Sequence, residues 1–519
     1  MQALALALVA LVGCDTAQAQ HSSACGRALE AACPVSPARN ETACLQCVYS
    51  PAHQPALKAA NCSSRYYQYY CSGGGHHREV TCRAPDPASV RLEKRPPVIL
   101  IPPLSGSFMD WKMVNRKQKH LYCRRNADWV EFFPPSAQMA LPGFADCYFD
   151  DASLVYDEAT DAYSYPPGVE IRVNMTLESQ CDPSPKVMTN NRTSFGCVCA
   201  NLQAMGYTRY NDLRVYPYDW RLGPSAWMAA GGFFSELKAF IEKQSDDLGK
   251  QPVTAVGFSL GSPVFALFLQ QYVTPEWKAQ YIASFISISG VFGGTAETAL
   301  QQLQASSSGG PPFPYLLQAE FASEQTFGSF SWMSAILPPL HVVATAGTNK
   351  VYTSKDLPTL YADAGFPRVG QQVAHAAKYN VERPIGVTTH AIFGSGYPTP
   401  QSFEFPLGSD GKGNFSAPCH YGYGGEGEDE DETRCRVNTT DGDNTGTRDS
   451  LAGVPGRWKM SQSQPVHLVE VHGTSHDDVQ KTEVAMNYMR AVLVNTSRQL
   501  ATKQATAAVP SIVVGRLHS

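Results

Sequence analysis

The amino-acid sequence predicts an α/β fold built on a mainly parallel β-sheet that is covered by helices on both faces. From Val98 onward, short apolar runs rich in β-branched residues alternate with longer helical stretches. Continuous apolar runs of this length are typical of buried parallel strands, and their alternation with helices favours a two-sided α/β arrangement. The chain has 519 residues, 43% hydrophobic and 17% charged, so it can bury the core that such a fold needs.

The individual strands follow from the apolar runs in chain order. Each run is four to eight residues long and is bounded by glycine, proline or polar residues. The predicted strands are 98–101, 253–256, 285–290, 341–344, 385–392 and 466–471. A helix is predicted over 477–493, directly after the last of them.

The strand at 253–256 leads into the most informative motif of the chain. Gly257-Phe-Ser-Leu-Gly261 stands between this strand and an apolar helical segment. G-x-S-x-G in a strand–turn–helix setting forms a nucleophile elbow, in which the serine hydroxyl is lifted off the edge of the sheet. The turn is so sharp that a side chain at either glycine would clash with the neighbouring strand or helix. Ser259 is therefore the candidate nucleophile.

A serine nucleophile needs a base, and the base needs a carboxylate that orients it. In α/β-hydrolases these residues follow in the order serine, acid, histidine, on loops after late strands. Asp443 lies in a loop that reads Thr-Asp-Gly-Asp-Asn-Thr-Gly, and His476 comes between the strand 466–471 and the helix 477–493. We predict Asp443 and His476 as the partners of Ser259, with His472 as the alternative base.

Two backbone amides are expected to stabilise the oxyanion that forms when Ser259 attacks. One is the amide of Leu260, directly after the nucleophile, and the other lies in the loop after the first strand. In that loop, Pro102 and Pro103 have no N–H group, so Leu104 is the expected second donor.

The N-terminus predicts entry into the secretory pathway. Residues 1–13 form an apolar stretch that is too short to span a bilayer, and Ala17-Gln-Ala19 offers a cleavage site, so a signal peptide over 1–19 is expected. Of 15 cysteines, Cys14 falls in this segment and leaves an even number for disulfides. Seven N-x-S/T sequons accompany them. We expect a glycosylated protein that is secreted or lies in the endolysosomal lumen, without a transmembrane segment.

Residues 20–88 are rich in cysteine and poor in aliphatic side chains, which predicts a small disulfide-rich module. Cys44-x-x-Cys47 could instead bind zinc, but the secretory context favours disulfides. The acidic run 425–432 could bind calcium, although a solvated loop is the better interpretation.

The charge balance excludes one class of partner. A net charge of −5 and a pI near 6.2 give no electrostatic footprint for nucleic acid. Global attraction to an anionic membrane is excluded in the same way, so contact with lipid would have to be apolar and local.

Several segments resemble the lecithin:cholesterol acyltransferase family, which includes the lysosomal phospholipase A and the phospholipid:diacylglycerol acyltransferases. The most specific is Tyr216-Pro-Tyr-Asp-Trp-Arg-Leu-Gly-Pro224, which is similar to the P-Y-D-W-R signature of that family. Gly394-Ser-Gly-Tyr-Pro-Thr-Pro400 and Ser331-Trp-Met333 match two further segments. The resemblance runs from about Val98 to Val494 and departs from the family at Pro103, where the family has glycine.

The resemblance implies an α/β-hydrolase fold with lid/membrane-binding and cap insertions, preceded by the small disulfide-rich module. The expected hydrolase domain covers 89–505, with a lid region at about 112–172, a cap region at about 292–385 and a tail at 506–519. It further implies Ser259 as the nucleophile, Asp443 as its carboxylate, His476 as the general base and a lid disulfide between Cys123 and Cys147. A late disulfide between Cys419 and Cys435 is expected as well. The candidates for lipid contact are Trp129, Phe132, Phe133, Asp219 and Trp220.

The expected function is transfer of an acyl chain from a glycerophospholipid, through a serine acyl-enzyme, to a lipid alcohol of sterol or diacylglycerol type or to water. The expected partners are a phospholipid membrane or lipoprotein-like surface and the lipid alcohol acceptor, and the chemistry requires no metal and no cofactor. The alternative is a catalytically silent secreted protein that binds lipid or glycan, with the cysteine-rich module as its working part. The presence of Ser259, Asp443 and His476 favours the enzyme.

Overall fold

The computed structural model describes residues 28, 31–33, 52–53, 55–56, 92, 95–133, 143–181, 195–303, 314–336, 342–346, 350–409, 413–417, 419 and 434–507. The predicted signal peptide, nearly all of the cysteine-rich module and the acidic run 425–432 lie outside the described residues. The backbone contacts divide the chain into two units. One contains residues 1–81 and 421–431, and the other contains residues 82–420 and 432–519. The elements below all belong to the second unit.

The second unit alternates between strands and helices from its start. Its strands are β1 Val98–Ile101, β2 Met109–Met113, β3 Ala127–Phe133, β4 Val155–Asp157, β5 Ala162–Ser164, β6 Val169–Val173, β7 Leu213–Val215, β8 Val253–Phe258, β9 Ile282–Ile288, β10 Val342–Ala346, β11 Lys350–Thr353, β12 Thr389–Ser395, β13 Tyr397–Phe405, β14 Arg436–Gly442 and β15 Val466–His472. Its helices are α1 Phe144–Ala152, α2 Glu178–Cys181, α3 Gly196–Ala204, α4 Pro224–Met228, α5 Phe233–Asp247, α6 Gly261–Leu267, α7 Pro275–Tyr281, α8 Ala296–Leu303, α9 Pro314–Glu324, α10 Gly328–Ala335, α11 Leu357–Asp363, α12 Pro367–Ala376, α13 Val454–Ser461 and α14 Glu483–Ala507.

A six-stranded sheet in the order β15-β12-β9-β8-β1-β7 forms the centre of this unit. Each neighbouring pair in the sheet is parallel. Parallel strands bring their carboxyl ends to one edge, so the loops after β1, β8 and β15 meet there. The order, the common direction and the sharp turn after β8 confirm the expected α/β-hydrolase fold.

Both faces of this sheet are covered, which explains why its strands are continuous apolar runs. In β1, Ile99 and Ile101 face the cluster that contains residues of α5 and α6, whereas Val98 and Leu100 face the cluster that contains residues of α3 and α14. Successive side chains of a strand point to opposite faces, so both sets must be apolar when both faces are covered. Full burial of each such side chain stabilises the fold by about 1.5–3 kcal/mol.

Two of the predicted strands differ most from the observed ones in place or extent, and the run predicted at 285–290 forms a strand over Ile282–Ile288. The run predicted at 341–344 corresponds to β10, which pairs with β11 and β13 in a separate four-stranded sheet. The run predicted at 385–392 begins as a strand only at Thr389. Apolar periodicity marks a buried strand but does not say which sheet it joins, so the placement of β10 in the central sheet was wrong.

Further antiparallel sheets lie outside the central one. Strands β3, β2 and β6 form a three-stranded sheet in that order, and β4 and β5 form a hairpin. These five strands fall within the predicted lid region at 112–172 or directly before it. Over the described residues, no helix combines the length and apolar character needed to cross a membrane.

Candidate active site

Ser259 stands at the turn between β8 and α6, with a positive φ of 51°. A side chain added to Gly257 would approach the Ser262 Cα atom to 2.9 Å, and one added to Gly261 would approach the Ile101 carbonyl oxygen to 2.2 Å. Both contacts are with backbone atoms that cannot give way. The two glycines of the motif are therefore required by the close packing of α6 against its own turn and against the end of β1.

The three residues predicted to act together lie in one hydrogen-bonded row. The Ser259 Oγ atom is 2.8 Å from His476 Nε2, and His476 Nδ1 is 2.7 Å from Asp443 Oδ2. Ser259 is 9% exposed, His476 is 7% exposed and Asp443 is fully buried, so the row is closed to solvent at its aspartate end. In this arrangement the serine hydroxyl donates to Nε2, and Nδ1–H donates to the carboxylate.

The Asp443 carboxylate is held in place by its own loop. Its Oδ1 atom accepts hydrogen bonds from the backbone N–H groups of Thr445, at 3.1 Å, and Gly446, at 2.8 Å. The His476 backbone N–H also donates to the Asp443 carbonyl, at 2.7 Å, which joins the two loops directly. The backbone of the Gly-Asp-x-Thr-Gly loop thus holds the carboxylate in position for its hydrogen bond to the His476 imidazole.

The pKa of His476 reflects two opposed effects. Burial alone would lower this pKa, but attraction by the Asp443 carboxylate and the hydrogen bond to it raise it above the ordinary value. Asp477 and Glu297 raise it further. An imidazole in this setting is a stronger base than a free one, which suits the acceptance of a proton from a serine hydroxyl.

His472, the alternative base, lies elsewhere. Its Nδ1 atom is 3.2 Å from the Ser395 Oγ atom, and its side chain is exposed at the end of β15. The structure therefore brings His476 against Ser259 and keeps His472 apart.

The two amides expected to form the oxyanion hole are both near the elbow. Leu260 is the N-cap residue of α6, so its N–H group lies at the positive end of that helix. Leu104 lies in the turn after β1 and is followed by Ser105, which has a positive φ of 57°. Among the described residues, neither amide donates to a protein acceptor, which leaves both available to a ligand.

The structure joins Cys123 to Cys147, the lid pairing that the family resemblance implied, with the two Cα atoms 5.5 Å apart. It also joins Cys419 to Cys435, as expected from the sequence, and Cys181 to Cys199.

The residues predicted to contact lipid do not form one exposed surface. Phe132 is 2% exposed and stacks on Trp111, with ring centroids 4.8 Å apart. Trp129 and Phe133 are half-buried, and Trp129 lies under the Arg172 guanidinium. The outward and inward directions alternate along β3, which places Phe132 in the core and removes it from the candidates for contact with a bilayer.

Asp219 and Trp220 are buried as well. Asp219 holds the buried Arg221 guanidinium through both carboxylate oxygens, at 3.0 and 2.6 Å, and also accepts from the Tyr165 hydroxyl. This pairing satisfies the carboxylate within the fold, which makes Asp219 a structural residue of the signature loop. The Trp220 ring packs edge-on against Phe327, and its indole N–H has no partner in the described part of the chain.

Three glutamates of the cap were missed by the sequence analysis, one of which interacts with His476. Glu297 on α8 interacts electrostatically with His476, and Glu324 on α9 interacts with both Glu297 and Glu320. One signal in the sequence could have identified them: between Lys278 and His341 the chain contains no lysine, arginine or histidine, and these glutamates are its only charged residues.

The described residues contain no group of three His, Cys, Asp or Glu side chains that could hold a metal ion. A serine at a nucleophile elbow, an imidazole and a buried aspartate, joined by hydrogen bonds, make up the type of site found in serine hydrolases and serine acyltransferases.

Comparisons with known proteins place the chain within that class. Residues 134–359 match the model of the lecithin:cholesterol acyltransferase family. The mouse lysosomal phospholipase A and acyltransferase is 29% identical over 78% of this chain and 91% of its own length, and the human protein is 28% identical over 79% and 93%. Human phosphatidylcholine-sterol acyltransferase is 27% identical over 78% of this chain and 86% of its own length. The chain is thus similar to members of the lecithin:cholesterol acyltransferase family over most of its length.

Among solved structures, a chain of the Tle4–Tli4 complex covers 78% of this chain and 98% of its own length, with 9% identity and a TM-score of 0.38. At that TM-score the likeness is too weak to bear on function.

Proposed function

We propose that this protein transfers an acyl chain from a glycerophospholipid, through an acyl-enzyme at Ser259, to a lipid alcohol or to water. The observation that carries the proposal is the row of Ser259, His476 and Asp443, with contacts of 2.8 and 2.7 Å at the carboxyl edge of the sheet. The relatives named for phospholipase and acyltransferase activities support the choice of substrate class. The proposed setting is the lumen of the secretory pathway, at a lipid surface.

The first half of the reaction forms the acyl-enzyme. His476 Nε2 accepts the Ser259 hydroxyl proton while Oγ forms a bond to the acyl ester carbonyl carbon. The amides of Leu260 and Leu104 stabilise the resulting oxyanion, and Asp443 stabilises the imidazolium. The tetrahedral intermediate then expels the lysolipid oxygen, which takes the proton from His476.

The second half returns the enzyme to its starting state. His476 deprotonates the hydroxyl of the acceptor, whose oxygen attacks the acyl-enzyme carbonyl, and Ser259 leaves with the proton that His476 gives back. A lipid alcohol yields a new ester, and water yields a fatty acid. Ser259, His476 and Asp443 act in the same way in both reactions. The choice between alcohol and water as the acceptor therefore depends on how completely water is excluded from the site.

The proposal is tested with phosphatidylcholine vesicles that carry a radiolabelled acyl chain, with and without a lipophilic alcohol. We expect the wild-type protein to move label to the alcohol and to free fatty acid, and Ser259→Ala to move none. Equal release of label by Ser259→Ala and wild type would contradict the proposal and favour a binding protein without catalysis.

A further inference from the structure

Residues Gly394–Pro400, one of the segments that resemble the family, contain the connection between β12 and β13. Gly396 alone separates the two strands, with a positive φ of 88°. Strand β12 belongs to the central sheet, whose strand β15 leads to His476, and β13 belongs to the four-stranded sheet, whose strand β14 leads to Asp443. The connection therefore joins the sheet of the base to the sheet of the acid.

The loop of the base is attached to the end of β12. The Gly473 and Thr474 N–H groups both donate to the Ser395 carbonyl oxygen, at 2.8 and 3.3 Å. A side chain on Gly394 would come within 2.2 Å of the Thr474 carbonyl oxygen, so this close approach requires glycine. The backbone two residues before His476 is thus fixed on the connection.

The turn of the acid is attached to the start of β13 through the Thr399 hydroxyl group. Thr399 is fully buried, and its Oγ1 atom accepts from the Asn444 N–H group at 2.8 Å and donates to the Tyr397 carbonyl oxygen at 3.0 Å. Asn444 has a positive φ of 81°, in the left-handed region that few residues other than glycine adopt. This conformation turns the next two N–H groups onto Asp443 Oδ1, so the Thr399 hydroxyl holds the turn that fixes the carboxylate.

The residues before Asp443 are held by the same connection. The Gly396 N–H group donates to Asp441 Oδ1 at 2.7 Å. A side chain on Gly442 would lie 2.5 Å from the Thr399 Oγ1 atom, which shows how closely the two segments approach. The connection therefore contacts the acid loop on both sides of Asp443.

We propose that Thr399 is a positioning residue for the acid: its hydroxyl group holds the Asp443 turn so that the carboxylate stays within hydrogen-bond distance of His476. Thr399 is closed to solvent, so it acts through Asp443 rather than on the substrate. The inference rests on the proposed acyl transfer at Ser259. It adds to that proposal the contact that keeps acid and base together, although they come from different sheets.

Loss of this hydroxyl group has a direct consequence for the base. Burial lowers the pKa of His476, whereas Asp443, Asp477 and Glu297 raise it. Thr399 acts on the first of these three carboxylates. A displaced Asp443 carboxylate therefore lowers the pKa of His476 and slows the transfer of the serine proton to it.

The test uses a fluorophosphonate, which labels an activated serine without any lipid. Ser259 Oγ forms a bond to phosphorus, fluoride leaves, and His476 accepts the hydroxyl proton. The second-order rate constant of labelling is measured against pH for the wild type, Thr399→Val, Thr399→Ser and Thr389→Val. Thr389 is the matched control, because it is equally buried and its Oγ1 atom also donates to the carbonyl oxygen two residues earlier, at 3.0 Å. It stands at the opposite end of β12.

We expect Thr399→Val to lower the plateau rate at high pH by about 10- to 100-fold and to move the midpoint of the profile to lower pH. With phosphatidylcholine as the donor, kcat should fall to the same extent while KM is unchanged, because Thr399 does not act on the substrate. Thr399→Ser keeps the hydroxyl group and should restore the rate and the midpoint. Thr389→Val should leave both unchanged.

Asp441→Ala tests the same connection at an exposed position, where a substitution does not threaten the fold. It removes the acceptor of the Gly396 N–H group and should lower the plateau rate by about three- to tenfold, as the loss of one hydrogen bond predicts. The comparison is made on the plateau, where His476 is neutral in each variant and the lost charge does not change its protonation.

Plateau rates within twofold of the wild type in both Thr399→Val and Asp441→Ala would overturn the inference. An equal loss in Thr389→Val and Thr399→Val would overturn it as well, because it would show a role in folding alone. A wild-type protein whose Ser259 is not labelled would instead contradict the proposed function.

Discussion

Asp443 shows how much of the proposed chemistry depends on the environment of a single side chain. It is fully buried, accepts two backbone hydrogen bonds on Oδ1 and holds His476 through Oδ2. A carboxylate in this position fixes the imidazole tautomer that leaves Nε2 free to accept the serine proton. An amide of the same shape would donate to the ring and favour the wrong tautomer.

Asp443→Asn is therefore expected to lower kcat by about 10⁴ while the fold is retained. Asp477→Asn serves as the control, because it removes a nearby charge that also raises the pKa of His476. We expect this control to lose less than tenfold in kcat. Release of labelled fatty acid under single-turnover conditions measures both, and an Asp443→Asn variant as active as the control would contradict the role of the carboxylate.

The raised pKa of His476 also predicts a pH profile. The base acts in its neutral form, so kcat/KM should rise with pH through a midpoint above 6.5, the ordinary value for histidine. Removal of the Asp477 charge should move this midpoint to lower pH. A midpoint that does not move would show that another group controls the profile.

At the scale of the elements, strands β12 and β15 carry a second pair of histidines away from the active site. His390 and His467 stack across the two strands with ring centroids 4.8 Å apart, and His390 Nδ1 lies 2.9 Å from the Tyr488 hydroxyl of α14. Burial, together with the charge of His467, lowers the pKa of His390 to about 4. The packing of the sheet edge against α14 thus depends on a neutral His390.

This pair makes the free energy of unfolding depend on pH. The unfolded chain binds a proton at His390 below about pH 6.5, whereas the folded chain resists it down to about pH 4, so stability is lost as the pH falls across that range. The loss amounts to about 3 kcal/mol. His390→Gln should reduce this loss, and the exposed His120→Gln should not. Urea unfolding of each variant at pH 7 and pH 4.5 measures it, and an unchanged pH dependence in His390→Gln would contradict the assignment.

The elements also differ in how well the sequence predicted them. The strand at 98–101 was predicted with its observed bounds, because both faces of β1 are apolar and prolines precede and follow it. Strand β7 is only three residues long and was missed. The helix predicted at 477–493 begins at Glu483, because a short 3₁₀ turn at Val479–Lys481 stands between His476 and α14.

For the molecule as a whole, the sequence was most informative where a local motif and the chain order agree. Ser259, Asp443 and His476 each occupy a recognisable setting. The parallel sheet brings Ser259 and His476 to one edge, and the loop after β14 of the four-stranded sheet adds Asp443. Phe132 and Asp219 could not be placed in the same way, because burial depends on contacts between distant segments such as β3 and α1. The three cap glutamates were missed because no motif marks them.

The most direct test of the account is detection of the acyl-enzyme itself. The protein is mixed with a phospholipid, the reaction is quenched in acid within its first turnovers, and peptides are mapped by mass spectrometry. We expect one acyl group on the peptide that contains Ser259, with more of it in the absence of an alcohol acceptor and none in Ser259→Ala. Turnover that proceeds while no acyl group is found on Ser259, or an acyl group on a different residue, would contradict the account.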